Sequence, residues 1–127
     1  MKKLFLALSL ATMPLVVSPT LLPFAAYAAP TQSSLGDLSS FETIARDTLV
    51  LVDKGDLAAA QKRITDFETA WDAAQSDLYH KDKTAWGVVD DAADKAISSL
   101  RAKKPVAAKA KRAVTDLIAA IQKPFGP

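Results

Sequence analysis

The chain has 127 residues, with 16 Lys and Arg, 14 Asp and Glu, one His and no Cys. Without cysteine, neither a disulfide framework nor a thiolate metal site is possible, so the fold must be stabilised by apolar packing. The formal net charge is only +2, and no basic patch is interleaved with aromatic residues, so we expect no nucleic-acid partner.

The first 28 residues have the pattern of a secretory signal peptide. Two lysines follow the initial methionine, an apolar run continues to residue 24, and the small residues Ala26 and Ala28 occupy positions −3 and −1 of a cleavage site. An uncleaved membrane anchor is the alternative, but three prolines interrupt a run that should contain about 20 mostly apolar residues. We therefore expect cleavage near Ala28, no transmembrane helix in the mature form, and a periplasmic or secreted protein.

Cleavage would also change the charge balance. Lys2 and Lys3 would leave with the signal, so two of the 16 basic residues are lost while all 14 acids remain. Residues 29–38 mix small, polar and turn-forming types without a period, which predicts a flexible leader. We predict one helical domain over residues 39–123, followed by a short tail at 124–127.

The first two predicted helices have clear terminal signals. Ser39 and Glu42 have the spacing of a capping box, and Gly55 is a suitable stop for the first helix. Asp56 can then accept a hydrogen bond from the first turn of the second helix. Apolar residues of the second helix recur in steps of three and four, which predicts one buried face. This face comprises Leu57, Ala60, Ile64, Phe67, Trp71, Ala74 and Leu78.

Residues 79–81 are predicted to form a turn, with Asp82 as the cap of the third helix. So short a link makes the second and third helices antiparallel neighbours. In that register Asp90 or Asp94 lies close enough to accept a hydrogen bond from Trp71, whose indole N–H usually finds a partner when it is buried.

Pro105 is predicted to lie in the first turn of a fourth helix, because the proline ring suits that position. The apolar face of this helix is predicted to run from Val106 to Ile121. No stretch of the mature chain alternates with period two, so no strand is predicted. The predicted fold class is therefore all-α, an antiparallel up-down-up-down four-helix bundle after a cleaved signal peptide.

Charge is distributed unevenly along the mature chain. Residues 29–100 contain seven basic and 13 acidic residues, whereas residues 101–127 contain seven basic residues and one acid. Either the fourth helix packs on the acidic helices, or it presents a basic face to an anionic envelope surface or an acidic partner. The exposure of its cations distinguishes these interpretations. The candidate face comprises Lys103, Lys104, Lys109, Lys111 and Arg112.

The available side chains restrict the chemistry. Both methionines precede residue 29, so the mature chain has no Met, no Cys and one His, a set that cannot form the usual haem or soft-copper sites. Ser76, Asp77 and His80 are close in sequence, but no glycine-rich elbow accompanies them, and a solvated turn histidine is the simpler interpretation. We predict no catalytic residue, no cofactor and no metal ligand, and hence no enzymatic activity.

A second candidate region surrounds the two tryptophans. Trp71 and Trp86 could stack on a ligand, while Asp90 and Asp94 could bind a hard cation through carboxylate oxygens. Both tryptophans also fall on apolar helix faces, as core residues would. The leading hypothesis is a non-enzymatic exported helical interaction module that binds an envelope protein or an anionic envelope surface. A periplasmic small-ligand or cation-binding protein is the alternative.

Several capping and packing residues carry a family resemblance. They are Glu68-Thr-Ala-Trp71-Asp72, then Asp82, Trp86 and Asp90, and finally Leu100-Arg101-Ala with Pro105. Over roughly residues 41 to 122 the chain resembles uncharacterised small exported all-helical proteins of bacteria. The resemblance implies a compact helical domain and no catalytic or binding residue.

The signal pattern generates the first prediction. Protein recovered from the periplasm should begin at Ala29, give or take a residue or two, because the small residues Ala26 and Ala28 are those that a signal peptidase accepts. The intact mass of the recovered protein measures this. Full-length protein embedded in the membrane would contradict it.

Overall fold

The computed structural model of the chain describes residues 33–123. These residues form four α-helices and contain no β-strand, which confirms the all-α class and the number of helices. The helices are α1 (Ser39–Asp53), α2 (Leu57–Lys81), α3 (Lys83–Arg101) and α4 (Ala107–Gln122). The predicted signal peptide, residues 29–32 of the leader and the tail after Lys123 lie outside the described residues.

All four helices contribute to one apolar core. Helix α1 packs mainly on α2 and α4, and α3 packs mainly on the same two helices. The predicted face of α2 is confirmed, because its members are buried or partly buried in this core. Helix α4 likewise buries Val114, Leu117, Ile118 and Ile121. Since burying a large apolar side chain contributes about 1.5–3 kcal/mol, these faces are a main source of stability.

Two aspartates and a glycine set the helix boundaries as predicted. The Asp56 carboxylate accepts a hydrogen bond from the backbone N–H of Ala59 at 3.0 Å, and Asp82 accepts one from Ala85 at 3.0 Å. Gly55 has φ of 77°, a left-handed conformation that side-chain-bearing residues avoid. Each signal acts on backbone groups within three residues, so it does not depend on the rest of the fold.

The predicted capping box is wrong. Ser39 is the first helical residue of α1, and no side chain caps this helix at Leu38. The backbone N–H of Ser39 instead donates to the Asp37 carboxylate at 2.9 Å, and hydrogen bonds from Ser39 lower the pKa of Asp37. Glu42 is engaged elsewhere, by Arg46 at 2.7 Å and by the amide of Gln122 at 2.9 Å.

Two other predicted boundaries also differ. The predicted turn at residues 79–81 is helical, because α2 continues to Lys81 and Asp82 alone, in an extended conformation, separates α2 from α3. At the other link, α4 begins at Ala107, so Pro105 precedes the helix. Val106 is the residue before the first turn and is 58% exposed. It therefore does not belong to the buried face of α4.

Residues 33–38 pack against the helices, although the sequence placed residues 29–38 outside the helical domain. A turn closed by the 2.8 Å hydrogen bond from the Gly36 N–H to the Ser33 carbonyl brings Leu35 into the core, where it is 1% exposed. The Ser34 hydroxyl donates to the Asp82 carboxylate at 2.6 Å. Hydrogen bonds from Ala85 and from Ser34 lower the pKa of Asp82. The segment thus covers the end of the fold where α2 meets α3.

We expect Leu35→Ala to lower the free energy of unfolding by about 2–5 kcal/mol, because it removes a buried leucine side chain. Val50→Ala is the control, since Val50 is 51% exposed and surface changes stay within about 0.5 kcal/mol. Urea unfolding of both variants measures the difference. Equal stabilities would contradict the packing of residues 33–38.

Candidate functional site

The five candidate cations occur together near the start of α4. We call Lys103, Lys104, Lys109, Lys111 and Arg112 the basic surface. All five are exposed, while α4 packs on α1 and α3 through its apolar face. The two interpretations of the basic helix are therefore compatible: the helix is packed on its neighbours, and its cations still face the solvent.

Ion pairing separates one member of the basic surface from the rest. Lys111 Nζ lies 2.8 Å from Asp53 Oδ1 and links α4 to α1. Within residues 33–123 the other four cations form no ion pair. By contrast, Arg63 contacts Asp47 and Asp66 at 2.8 and 3.1 Å. Four cations of the basic surface thus remain available to another molecule.

Arg101 shows how a cation near the same helix end is used within the fold. Both of its terminal nitrogens bind the Glu68 carboxylate, and one also donates to the Thr65 hydroxyl at 3.2 Å. The Arg101 guanidinium holds the pKa of Glu68 below its ordinary value. Arg101 therefore joins α3 to α2 and is not part of the basic surface.

A groove of about 550 Å³ lies between α3 and α4, next to the basic surface. Its volume falls within the range of small-ligand sites, about 300–1,000 Å³. Three members of the basic surface line it. The lining residues are Asp94, Lys95, Ser98, Ser99, Ala102, Lys104, Val106, Lys109, Arg112, Ala113 and Asp116.

Charge changes along this groove. We call the end formed by residues 102–106 the connection end, because these residues join α3 to α4 there. Asp94 precedes Ala102 by eight residues, about 12 Å at 1.5 Å per residue, and Asp116 lies about 14 Å along α4 from Ala107. Both acids must therefore lie at the far end, whereas Lys104 and Lys109 stand near the connection end.

Small apolar side chains form part of the groove wall. Ala102, Val106 and Ala113 line it, and the methylene stems of the lysines can add apolar surface. The Ser99 hydroxyl donates to the Ala96 carbonyl at 2.8 Å, so its hydrogen is already used. The adjacent Ser98 is exposed. The groove thus combines an apolar patch with cations at one end and both signs of charge at the other.

The start of α4 adds to the positive character of the connection end. No side chain caps this helix and its first turn contains no acid, whereas α2 and α3 are capped by Asp56 and Asp82. The N-terminus of a helix carries a partial positive charge from its free N–H groups. In α4 neither a side-chain cap nor an acid of its own first turn offsets this charge.

The second candidate region is a packed aromatic cluster. Trp71 is 2% exposed, and its indole N–H donates to the Asp90 carboxylate at 3.0 Å, which confirms one of the two predicted acceptors. The Trp86 ring stacks on Trp71 with centroids 6.5 Å apart, and Phe41 meets Trp71 edge-on at 5.2 Å. Trp71 is therefore used by the core and has no free face for a ligand.

The predicted ligand residues do not converge on one point. Trp71, Trp86 and Asp90 belong to the aromatic cluster, whereas Asp94 is exposed and lines the groove. Trp86 is partly buried, and its indole nitrogen has no hydrogen-bond partner among the described residues. Across residues 33–123, no group of three or more His, Cys, Asp or Glu side chains is arranged to hold a metal ion.

The Asp90 carboxyl has a raised pKa, because it is partly buried and desolvation disfavours its charged form. The carboxylates of Asp94, Asp91 and Asp72 raise the pKa further, while the hydrogen bond from Trp71 lowers it. Burial beside the Trp71 indole is enough to explain the raised pKa of Asp90, which is therefore a consequence of core packing.

His80 is exposed at the end of α2. Its Nδ1 lies 2.5 Å from the backbone carbonyl oxygen of Ser76, and thus contacts the main chain of that residue. The Tyr79 ring meets it edge-on at 6.2 Å. These contacts are those of a surface histidine at a helix terminus.

Sequence reasoning missed several groove residues. Asp94, Ser98 and Ala102 recur every four residues along α3 and the residue that follows it, and Lys109, Ala113 and Asp116 follow the same kind of spacing on α4. Such steps place residues on one helix face. The sequence signal was therefore a second, partly polar face on each of α3 and α4, beside the apolar one. This pattern does not reveal that the partly polar faces of the two helices border one groove.

No protein-family model matches the chain, and no significantly similar curated protein or solved structure is found. None of the helices described here is long and apolar enough to cross a membrane. The resemblance to small exported bacterial proteins stays an expectation.

We expect Trp71→Ala to lower the free energy of unfolding by about 3–5 kcal/mol, the usual loss for truncating a buried tryptophan. His80→Ala should change it by less than about 0.5 kcal/mol, since the imidazole is exposed. Denaturant melts of the two variants compare them. A nearly neutral Trp71→Ala would mean that the aromatic cluster contributes little to the core.

Asp90→Asn tests the raised pKa of Asp90. An acid whose pKa is higher in the folded than in the unfolded state binds more protons when folded, so its contribution to stability falls as pH rises between the two values. Asn can still accept the indole hydrogen bond without carrying the charge. The variant should therefore gain stability relative to the wild type at pH 7, and this gain should shrink below about pH 4, near the ordinary pKa of aspartate.

Urea melts of Asp90→Asn at both pH values measure the effect. Asp91→Asn is the matched control, because it removes the same charge from an exposed neighbour. If both variants show the same pH dependence, burial of Asp90 is not the cause.

Proposed function

We propose that the protein is a non-enzymatic exported interaction module that binds an acidic segment of an envelope protein through its basic surface. The observation that carries this proposal is the state of Lys103, Lys104, Lys109 and Arg112, which are exposed and unpaired within the described chain. Lys111, by contrast, is paired with Asp53 and links α4 to α1. Complementary charge supplies specificity and a fast association rate.

Packing of α4 favours a protein partner over insertion into a membrane surface. An interfacial helix must place its apolar face among the lipid headgroups, but the apolar face of α4 is buried against α1 and α3. Among the exposed large apolar residues of the described chain, Val106 is the one that lies next to the basic surface. Adhesion to an anionic envelope surface by charge alone, worth about 1 kcal/mol per basic residue, is the alternative.

The proposal includes export. The pattern of residues 1–28 supports a cleaved signal, and a mature domain in the periplasm or medium would meet envelope proteins there. The absence of cysteine from the chain is compatible with an oxidising compartment, because no free thiol could be oxidised.

We further propose that the helices run antiparallel in up-down-up-down order. Three inter-helix contacts support this: Asp47 with Arg63 between α1 and α2, Trp71 with Asp90 between α2 and α3, and Glu42 with Gln122 between α1 and α4. Asp53 with Lys111 adds a second α1–α4 contact. In each pair of helices that these contacts join, residues early in one meet residues late in the other.

A small-ligand or cation-binding function at Trp71 and Trp86 is less well supported. The unpartnered indole nitrogen of Trp86 is one feature in its favour. Against it, the Trp71 ring and its N–H are both used within the core.

The test compares two double charge reversals. Lys104→Glu/Lys109→Glu alters the basic surface, and Lys54→Glu/Lys62→Glu makes the same change of net charge at exposed positions elsewhere. Partners captured by cross-linking in envelope extracts are identified, purified and titrated against each variant at several salt concentrations. We expect the first variant to bind at least about tenfold more weakly, a loss of about 1.4 kcal/mol, while the second stays near the wild type.

Higher salt should weaken wild-type binding, because exposed charges are screened. Equal losses in the two variants would overturn the proposal. Binding to phosphatidylglycerol vesicles without a protein partner would favour the envelope surface instead.

A further inference from the structure

We propose that the groove between α3 and α4 binds the carboxyl-terminal end of an extended peptide, with the terminal carboxylate at the connection end. This inference rests on the proposed function, since the peptide would be the tail of the acidic protein partner.

The shape of the groove favours a chain terminus. Ala102, Lys104 and Val106 line the groove and belong to the segment that crosses from α3 to α4, so the connection borders one end. A polypeptide that lies along the groove meets this segment there, which favours a chain that ends at that point. Four extended residues span about 13 Å at 3.3 Å each, which matches the 12–14 Å that separate the connection from the acids of the far end.

The charge at the connection end determines which terminus fits. Lys104 and Lys109 stand near this end, and neither forms an ion pair within the described chain. A carboxylate placed between them would gain charge-assisted hydrogen bonds. An amino terminus would instead be repelled by both lysines.

The far end distinguishes a peptide from a lipid or a fatty acid. Asp94 and Asp116 line the groove there, and the lining cations Lys95 and Arg112 are one residue from Asp94 and one helical turn before Asp116. A hydrocarbon tail would remove these charges from water and offer no hydrogen bond in return, which is unfavourable. Backbone N–H groups of a peptide can donate to the two acids, and its carbonyl groups can accept from the two cations.

At the connection end, the wall suits the side chain of a terminal apolar residue. Ala102 has a small side chain and Val106 presents an exposed isopropyl group there, and Ala113 continues the small-residue wall along α4. Burying one leucine-sized side chain here would contribute about 1.5–3 kcal/mol. The volume of about 550 Å³ is large enough for a short tail.

The probe is acetyl-Ala-Ala-Ala-Leu with a free carboxylate, compared with the same peptide ending in an amide. NMR titration of the purified protein should show shifts confined to the groove lining, and at least about tenfold weaker binding of the amide, because a charge-assisted contact is lost. Decanoate is the third probe, since it carries a carboxylate on a hydrocarbon chain.

Two variants accompany these probes. Lys104→Glu/Lys109→Glu should abolish binding of the free-carboxylate peptide. Ala102→Phe adds a ring at an exposed position in the groove, retains every charge, and should also block the peptide. Retained spectral dispersion in both variants shows that they are folded.

Each remaining outcome would overturn the proposal: no binding of the peptide at millimolar concentration, equal binding of acid and amide, or equal binding of decanoate. The protein-partner titration separates the two proposals. If the double lysine variant loses the partner and Ala102→Phe does not, the interaction module stands and the groove is not its site.

Discussion

The aromatic cluster around Trp71 is the interaction on which the rest of the structure depends. Its rings come from three helices: Phe41 of α1 at 5.2 Å, Phe67 of α2 at 5.8 Å and Trp86 of α3 at 6.5 Å from Trp71. Such pairs contribute about 0.5–1.5 kcal/mol beyond the area they bury, and a chain without cysteine has no disulfide to replace them. Because the Trp71 indole also binds Asp90, the cluster fixes the register between α2 and α3. The same register determines which side of α3 faces α4, and therefore where the groove lies.

The sequence was informative where a short-range physical rule decides the outcome. The 3.6-residue period of apolar residues identified the buried face of α2, and Asp56 and Asp82 were recognisable as caps because their acceptors reach N–H groups only three residues away. The same kind of rule failed at Ser39, where the Asp37 carboxylate reached the Ser39 N–H. The sequence did not assign Leu35 to the core, because its burial depends on a turn held by a long-range contact. In that contact the Ser34 hydroxyl donates to the carboxylate of Asp82, 48 residues further along the chain.

The basic surface was recognisable from charge counts, but the groove was not. Its concavity arises where small residues such as Ala102, just after α3, and Ala113 of α4 border the same space, and neither segment alone reveals this. Ion pairing is equally non-local. Lys111 and Arg112 are adjacent in sequence, yet successive residues point about 100° apart around a helix, so Lys111 reaches Asp53 on α1 while Arg112 lines the groove. Which cations are free is therefore a property of the packed helices.

Both tryptophans of the chain lie in the one cluster, with ring planes only 8° from parallel. Indole absorption and emission therefore arise from a single place in the molecule. Because the two indoles pack against each other across α2 and α3, near-ultraviolet circular dichroism registers that contact, while tryptophan is absent from the groove lining. The molecule consequently has an intrinsic optical reporter for its core that is spatially separate from its basic surface, and unfolding and ligand capture at the groove can be followed as distinct events.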